Sequence, residues 1–510
     1  MRKENEGVRL RGALMRIGCA LLLLILASGI FLWRMYRERE SRPTEHQVVA
    51  PTCTESGYTL RKDLESGHTE VTDVVPALGH SFGAWKLLEG PEGVRCGSQE
   101  RNCSTCGIRE EQAIYPKTEL PRIRLYGSTE GIGKKSEVNM TAAFLNEGQE
   151  LECFATLKYQ GHESLGYDKK NYTLKLFRDE AHEEKLKLQF SHWNKENKYI
   201  LKANYIDATS CRNLVCADVW ADMCKLRSGL PKEFASLSNY GAVDGFPVVL
   251  YINDRFEGLY TMNLHKDDDL FGMEDGEKQA ILIANNSSAP EALFRELAAF
   301  TGESPWEVEY CGTEDESWAK EGFNELIRFV MTADDETFRT HLGDYLDVNS
   351  AVDYLIALYA LGLTENGGQN LILVSYGDEW TASLYDMEAA FGKSADGATQ
   401  YSAAEHLPVR TVEGWDSATG SLLWDRLLEQ FEEEICARYT QLRQSVLNPD
   451  VLCTRVEEFM GAIPQEVYQA DWEAWPREFA GGEEPEQITA YLRQRMAALD
   501  VIFMEGEPKS

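Results

Sequence analysis

The sequence has few positive charges for its length. Lysine and arginine together number 51 of the 510 residues, against 84 aspartates and glutamates, so the net charge is −33. The pI is about 4.7. A surface of this charge repels the phosphates of nucleic acids. We therefore exclude DNA and RNA as partners.

Several signature motifs of common enzyme classes are also missing. The sequence contains no G-x-S-x-G elbow, no H-E-x-x-H helix and no Walker A loop. Its 12 cysteines show no even spacing, so no disulfide framework is indicated. Cys211, Cys216 and Cys224 lie in an apolar helical pattern and are predicted to be buried thiols. The composition, 43% hydrophobic, is that of a globular protein with two or three domains.

An apolar run near the N-terminus is long enough to cross a membrane. Residues 14–33 read LMRIGCALLLLILASGIFLW, interrupted by Arg16. About 20 such residues span the hydrocarbon core of a bilayer. We predict a signal anchor at 14–34, after a tail at 1–13 and before a linker at 35–46. The protein is then a single-pass membrane protein with its bulk outside the cytoplasm. A cleaved signal peptide is one alternative, and a cytoplasmic orientation is another, since basic residues flank the run on both sides.

A small cysteine-containing module is predicted at 47–116, where helical periodicity is weak. Its segment Cys103-x-x-Cys106-Gly has the shape of a zinc knuckle. The further zinc ligands that the module offers are Cys53, His80 and Cys96. A disulfide or plain reduced cysteines are the alternatives to zinc.

The module resembles small repeats that are common on bacterial surface proteins. It shares their PTCTE-x-GYT start, PALGHSFG-x-W centre and C-x-x-C-G end. Those repeats normally carry a second C-x-x-C, whose place is taken here by LRKDLESGH. The resemblance implies a cell-surface protein with a cell-surface partner.

Alternating apolar and polar residues predict β-strands from about residue 120. The stretches are PRIRLYG, EVNMTAAFLN, QELECFATLKYQG, NYTLKLFR and KYILKANYID. The segment GFPVVLYINDRFEGLYTMNLHK predicts a hairpin that turns at Asn253-Asp254.

Helical patterns dominate the rest of the chain. TSCRNLVCADVWADMCKL predicts a helix with Thr209 or Ser210 as its N-cap, and 316–345 and 348–363 also read as helices. Residues 420–505 are mostly amphipathic helix broken at prolines. A β-rich half followed by a helical half is an α+β arrangement, and it suggests two lobes.

One stretch has the spacing of a protein-kinase-like site. An apolar helix ends before Glu365, Asn370 follows five residues later, and Asp386 comes after a hairpin at 370–386. In kinases an acid orients the phosphoryl acceptor, while an Asn and an Asp hold the Mg²⁺ that bridges the nucleotide phosphates. Oxygen ligands on rigid elements suit this chemistry. The spacing therefore indicates a candidate metal-phosphate site, with Glu365 as its candidate catalytic acid and Asn370 and Asp386 as its candidate metal ligands.

Four separated motifs resemble the spore coat protein H (CotH) kinase family, in the order in which that family has them. They are YQGHESLGYDKKNYTLKLF at 159–177, KYILKANYIDATSCRN at 198–213, VVLYINDRFEGLYTMNLHKDDDLFGM at 248–273, and ENGGQN with SLYDMEAAFG at 365–370 and 383–392. The family is similar to protein kinases in fold. The resemblance implies an atypical kinase-like two-lobed domain at 117–505 that uses ATP and Mg²⁺ or Mn²⁺ to phosphorylate Ser or Thr of a protein substrate.

The resemblance also implies roles for residues outside the metal site. A phosphate-covering loop is expected at 161–166. Lys175 is the first choice for the lysine that reaches the phosphates, and Lys170 and Lys202 are the alternatives. Three further residues near the nucleotide match the family's A-N-x-x-D-x-T-x-x-R-N pattern, in which the Asp and Arg brace a strand-to-helix junction: Asn204, Asp207 and Arg212.

The sequence departs from the family pattern at the site itself. Glu365 stands where the family usually has Asp, and Gln369 stands where a basic residue is usual. An extra methylene matters because a misplacement of about 1 Å can cost on the order of a hundredfold in rate. Two hypotheses follow: a metal-dependent protein kinase, or a catalytically weak pseudokinase that acts as a membrane-tethered cell-surface scaffold.

Overall fold

The computed structural model divides the chain into two units. The N-terminal unit comprises Met1–Gly90 with Gly97–Ile114, and the C-terminal unit comprises Pro91–Cys96 with Tyr115–Ser510. The chain is mixed α/β, as predicted, and most strands precede most helices. The residues that the structure describes are 21–37, 43–146, 148–161, 163–237, 239–301, 304–394, 397, 400–411, 414–477 and 485–505.

The apolar run near the N-terminus is helical where it is described. Residues 21–37 form helix α1, and its large apolar side chains are exposed. Among the described helices, none combines the length and the apolar character needed to cross a membrane. The predicted anchor at 14–34 begins outside the described residues, so the anchor stays a prediction.

Two small antiparallel sheets lie in the part of the N-terminal unit that is described beyond α1. Each contains three strands in sequence order. The first sheet consists of β1 (Thr44–Val49), β2 (Gly57–Asp63) and β3 (Thr69–Val75), and the second of β4 (Lys86–Glu89), β5 (Gly97–Asn102) and β6 (Arg109–Ile114).

A closed barrel of seven strands opens the C-terminal unit. Its strands are β7 (Arg122–Tyr126), β8 (Val138–Asn146), β9 (Gln149–Gln160), β10 (Asn171–Phe177), β11 (Lys198–Lys202), β12 (Gly245–Ile252) and β13 (Arg255–Leu264), in the spatial order β10-β11-β13-β12-β7-β8-β9. The β7–β12 pair is parallel. Fully buried side chains such as Leu125, Leu157, Leu174 and Leu201 fill the interior, as the strand alternation predicted.

The predicted hairpin at Asn253-Asp254 is confirmed. It joins β12 to β13, and the two turn residues have φ values of 51° and 63°. Two consecutive left-handed residues match the right-handed twist of the paired strands, and Asn and Asp tolerate that conformation.

A second sheet follows the barrel. Its strands β14 (Ala280–Asn285), β15 (Trp306–Cys311), β16 (Gln369–Ser375) and β17 (Thr381–Leu384) are antiparallel, in the order β15-β14-β16-β17. The hairpin predicted at 370–386 is the β16–β17 pair. A third, two-stranded pair contains β18 (Val409–Thr411) and β19 (Gly414–Asp416).

Ten helices are described in the C-terminal unit. They are α2 (Arg212–Lys225), α3 (Lys232–Ser236), α4 (Ser317–Thr332), α5 (Asp335–His341), α6 (Val348–Leu361), α7 (Leu422–Gln430), α8 (Glu432–Arg443), α9 (Pro449–Gly461), α10 (Gln465–Ala474) and α11 (Pro485–Asp500). Short 3₁₀ turns lie at Glu163–Gly166 and Leu342–Asp344, and a π-helical turn lies at Val501–Glu505.

Local sequence signals explain most helix boundaries. Pro449 and Pro485 begin α9 and α11, as the predicted breaks require. The helix predicted at 316–345 is divided, because the Asp334 side chain accepts a hydrogen bond from Thr337 N and so caps a new helix. The N-cap predicted at Thr209 or Ser210 is wrong, since Cys211 precedes the first residue of α2.

Helix α6 forms the centre of the helical part. Every residue from Ser350 to Leu361 is buried. The Asp347 side chain caps its first turn through Asn349 N, and Gly362 ends it with a φ of 68°. A Cβ at Gly362 would collide with the Tyr491 ring of α11. Helix α6 therefore ends at a defined point, three residues before Glu365.

Shortening a buried side chain of α6 should destabilise the C-terminal unit. Leu355 is fully buried in this helix, so Leu355→Ala should lower the free energy of unfolding by about 2–5 kcal/mol. Chemical denaturation followed by tryptophan fluorescence would measure the loss. The matched control is Leu297→Ala, because Leu297 is exposed and should change stability by less than about 1 kcal/mol. Equal losses in the two variants would contradict the central placement of α6.

Candidate functional site: a cleft beside the barrel

A cleft of about 630 Å³ lies within the C-terminal unit. Barrel strands β9 and β10 and the loop between them contribute one set of its lining residues, and the second sheet contributes another. Glu365, Asn370 and Asp386, the three residues predicted from spacing, all line it. The structure thus brings the predicted acid and the predicted metal ligands into one cavity.

The register of the β16–β17 hairpin explains why Asn370 and Asp386 meet. Leu371 pairs with Leu384, so Asn370 and Asp386 lie at the open end of the hairpin. Both have left-handed backbones, with φ values of 58° and 52°. Residues other than glycine are rarely held in this conformation, and such strained positions cluster at functional sites. Asn370 is the second residue of β16 and Asp386 follows the end of β17, and both line the cleft.

A buried asparagine ties the Glu365 turn to the hairpin. Asn366 donates from Nδ2 to Tyr385 O at 2.8 Å, and its own carbonyl accepts from the Tyr354 hydroxyl at 2.7 Å. The turn is closed by Gln369 N, which donates to Glu365 O at 2.9 Å. These hydrogen bonds tie the turn that carries Glu365 to Tyr385, the residue before Asp386. The sequence analysis missed Asn366, since loop asparagines usually serve local turns.

Of the three candidate lysines, Lys202 is the one that meets the predicted metal ligand. It ends β11, and its Nζ contacts Asp386 Oδ1 and lies 3.7 Å from Glu388 Oε2. The Lys202 side chain is 8% exposed. These carboxylates keep its pKa above the ordinary value despite burial, which by itself lowers the pKa. Lys202 therefore places a positive charge against Asp386 and Glu388, two residues that line the cleft.

The other two lysines have different partners. Lys175 Nζ pairs with Glu137 Oε1 at 2.6 Å on the barrel. Lys170 donates to the backbone carbonyls of Leu165, at 2.9 Å, and of Tyr167. Lys170 thus stabilises the expected phosphate-covering loop at 161–166.

The loop at 161–166 lies at the cleft. Gly161 and Ser164 line it, while residue 162 lies outside the described part of the chain. Gly161 has a φ of 105°, and a Cβ there would collide with the Ser164 side chain. Only glycine fits this close approach.

Asp207 and Arg212 brace the start of α2, as the resemblance implied. The Asp207 carboxylate pairs with the Arg212 guanidinium and accepts from Arg212 N at 2.9 Å, and both side chains are buried. Arg212 Nε donates to Ala390 O at 3.0 Å, and Asn213 Oδ1 accepts from Met387 N at 2.7 Å. The start of α2 therefore holds the segment that follows Asp386.

Asn204 has a structural role at the end of β11. Its φ is 48°, and its Nδ2 donates to Thr261 Oγ1 at 3.1 Å and to Lys202 O at 3.3 Å. These bonds position the backbone of Lys202. Asn204, Asp207 and Arg212 thus lie behind the cleft and orient the groups that face it.

Glu388 adds a second carboxylate beside Asp386. Burial and the nearby charge of Asp386 raise the pKa of Glu388 to about 7, although Lys202 opposes this change. Asp386 and Glu388 present two carboxyl groups to one ammonium group, so Lys202 does not balance both when both are ionised. A divalent cation held by carboxylate and amide oxygens would do so, and Asn370 and Asp386 offer such oxygens.

The sequence analysis also missed two glutamates on β15. Glu307 and Glu309 line the cleft, and Glu309 pairs with Lys266 at 2.6 Å. Their i, i+2 spacing on a strand places them on one face. That alternation was visible in WEVEYC, but which face meets the cleft depends on the pairing of β15 with β14.

The predicted zinc ligands of the small module are corrected in one respect. Cys53, His80, Cys103 and Cys106 converge within the N-terminal unit. Cys96 does not belong with them. It lies in the C-terminal unit, where the charges of Asp254, Arg122 and Arg124 act on it. Sequence proximity suggested Cys96, but residues 91–96 fold with the other unit.

Comparison with known protein families gives a match that lies within the C-terminal unit. The family model described as CotH kinase protein matches residues 157–499, more than half of the chain. The comparison with curated proteins gave no match. The matched range contains every residue of the cleft that was predicted from spacing.

The ionisation of Glu388 should make stability depend on pH. Its pKa is raised from 4.5 to about 7 in the folded protein, so the folded state binds this proton more tightly than the unfolded chain does. The contribution of Glu388 is fully present below pH 4.5 and is lost as the pH rises through about 7. In metal-free buffer, Glu388→Gln should therefore gain in Tm relative to the wild type between pH 5 and 8. A Tm difference that is constant over this range would contradict the raised pKa.

Proposed function

The chain belongs to the CotH kinase family, and we propose that it transfers phosphate from ATP to Ser or Thr of a protein substrate with the help of Mg²⁺ or Mn²⁺. The observation that carries the proposal is that Asn370 and Asp386 line one cleft and that the buried Lys202 pairs with Asp386. Phosphoryl transfer depends on positioning and charge neutralisation, and these residue types supply both.

Each residue has a defined task in this proposal. Asn370 and Asp386 would hold the divalent metal, which neutralises charge on the phosphates when bound. Lys202 would bind a phosphate oxygen as a point charge, while the loop at 161–166 covers the phosphates. Glu365, fixed by the Asn366 bonds, would orient the acceptor hydroxyl. The barrel and the helical part would then act as the two lobes of an atypical kinase.

The cellular setting is proposed on sequence grounds. We propose that a signal anchor at 14–34 tethers the protein to a membrane with its bulk outside the cytoplasm. The acceptor would then be a protein at the cell surface.

The size of the cleft suits a nucleotide, since ligand sites of about 300–1,000 Å³ are usual.

A non-catalytic scaffold is the second candidate, and Glu365 favours it. Glu365 is one methylene longer than the usual Asp, and Gln369 replaces a usual basic residue. In this alternative the cleft binds a nucleotide without transfer, and the protein docks a cell-surface partner.

Nucleotide binding should depend on Asp386. Adding ATP with Mn²⁺ or Mg²⁺ to the full chain should raise the Tm in proportion to the logarithm of ligand concentration, because only the folded protein binds. Asp386→Ala should abolish the metal-dependent part of this rise. The matched control is Asp378→Ala, at the exposed turn of the same hairpin, which should behave as the wild type. The absence of a shift with either metal would refute the nucleotide site.

Shortening the acid at position 365 separates the two candidate functions. Glu365→Asp should raise the rate of transfer from radiolabelled ATP to protein by about tenfold or more, because it restores the usual reach of the acid. Glu365→Gln should abolish transfer while it leaves the nucleotide-induced rise in Tm intact. Binding without transfer in all three forms would identify the scaffold, and equal transfer by the Gln variant would exclude a role for the carboxylate.

A further inference from the structure

The N-terminal unit contains a cluster of four potential metal ligands far apart in sequence. The ligating atoms of Cys53, His80, Cys103 and Cys106 all lie within 4.8 Å of one another. Cys53 Sγ and Cys103 Sγ are 3.8 Å apart, and Cys106 Sγ is 3.3 Å from His80 Nδ1. The three cysteines are free thiols.

The Cys53–Cys103 and Cys106–His80 distances are close to the edges of a tetrahedral zinc site. With Zn–S bonds of about 2.3 Å and Zn–N bonds of about 2.0–2.1 Å, the S–S edge is about 3.8 Å and the S–N edge about 3.5 Å. A set of three cysteines and one histidine leaves no open position. Sites of this composition are structural.

Backbone hydrogen bonds hold the three ligand-bearing segments in place. Gly79 N donates to Cys53 O at 3.0 Å, which joins the first two segments. Ser104 N donates to Ser81 O at 2.8 Å, which joins the second to the third. Ser81 N also donates to Cys103 Sγ at 3.3 Å. A backbone donor aimed at sulfur favours a thiolate, the form that binds metal.

The Cys103–Cys106 turn has the geometry of a knuckle. Gly107 N donates to Cys103 O at 2.9 Å, and Cys103 N donates to Ile108 O at 2.9 Å. Gly107 has a φ of 75°. A left-handed glycine directly after the second cysteine lets the chain fold back and present both sulfurs on one side.

The N-terminal unit has almost no apolar core of its own. Among its described residues, the buried hydrophobic side chains are those of Cys53 and Cys103. Apolar residues such as Val71, Val74 and Leu78 are 54%, 63% and 61% exposed. A unit of this size without a core needs another source of stability, such as a disulfide or a metal. Within the described part of this unit, the buried apolar side chains thus belong to the cluster of potential metal ligands.

We propose that Cys53, His80, Cys103 and Cys106 bind one structural Zn²⁺ that holds the N-terminal unit folded. The ion links Cys53 to the Cys103–Cys106 turn across about 50 residues of chain, and it supplies the folding free energy that apolar burial does not provide. This inference concerns a site outside the proposed phosphoryl-transfer cleft, so its outcome is independent of that proposal.

Elemental analysis of the purified full-length protein tests the zinc site. Protein expressed with added zinc and purified under reducing conditions should contain one Zn²⁺ per chain. His80→Ala and Cys53→Ser should each lose most of it. Cys96→Ser is the matched control: it removes the cysteine that lies in the other unit and should keep the full zinc content. Zinc at background level in the wild type, or an equal loss in Cys96→Ser, would overturn the proposal.

Two further readouts keep the test valid if a variant folds poorly. Replacement of Zn²⁺ by Co²⁺ in the wild type should give visible d–d absorption and thiolate charge-transfer bands typical of tetrahedral sulfur-rich sites. Removal of zinc by a chelator should expose residues 43–90 and 97–114 to limited proteolysis and leave the C-terminal unit intact. An intramolecular disulfide between any two of the three cysteines, found by mass spectrometry of the wild type without added reductant, would overturn the metal site.

Discussion

The contact between Lys202 and Asp386 is the interaction on which the candidate site depends. It joins Lys202, the last residue of barrel strand β11, to Asp386, which lies two residues after the end of β17. Removing two charges from water is costly unless they are paired and further hydrogen-bonded. The surrounding structure meets that condition: Asn204 positions the Lys202 backbone, and the start of α2 holds the segment after Asp386. Because Glu388 adds a second carboxyl group beside the pair, the site favours a further positive charge, which suits a metal cation.

Local sequence signals predicted the parts of the site that lie on one hairpin. The spacing of Glu365, Asn370 and Asp386 was sufficient because a helix end and a two-stranded hairpin have few possible geometries. Local sequence signals could not choose among the three candidate lysines. Lys175 alternates with apolar residues as a phosphate-binding lysine would, yet barrel closure and the register of β11 with β13 bring Lys202 to Asp386 instead. The role of Asn366 could not be predicted for the same reason, since its hydrogen-bond partners come from α6 and from the residue after β17.

The two units differ in how they achieve stability. The C-terminal unit buries a continuous core around α6 and a filled barrel, whereas the N-terminal unit exposes most of its apolar residues and buries two cysteines. The Cys-x-x-Cys-Gly motif predicted a metal or disulfide there, but the complete ligand set required the fold: Cys53 joins through backbone pairing, and Cys96 is withdrawn because its segment packs with the other unit. Spacing along the chain therefore indicated a cysteine cluster but not all of the residues that form it.

The affinity of the full chain for Mn²⁺–ATP, measured by isothermal titration calorimetry in two lysine variants, tests the central claim most directly. If the Lys202–Asp386 contact is the core of a nucleotide site, Lys202→Met should weaken binding by at least about tenfold, which corresponds to about 1.4 kcal/mol. Lys175→Met, which removes a lysine of the same barrel that is paired with Glu137, should bind as tightly as the wild type. Unchanged affinity in Lys202→Met, with a folded protein and a normal Lys175→Met control, would contradict the account.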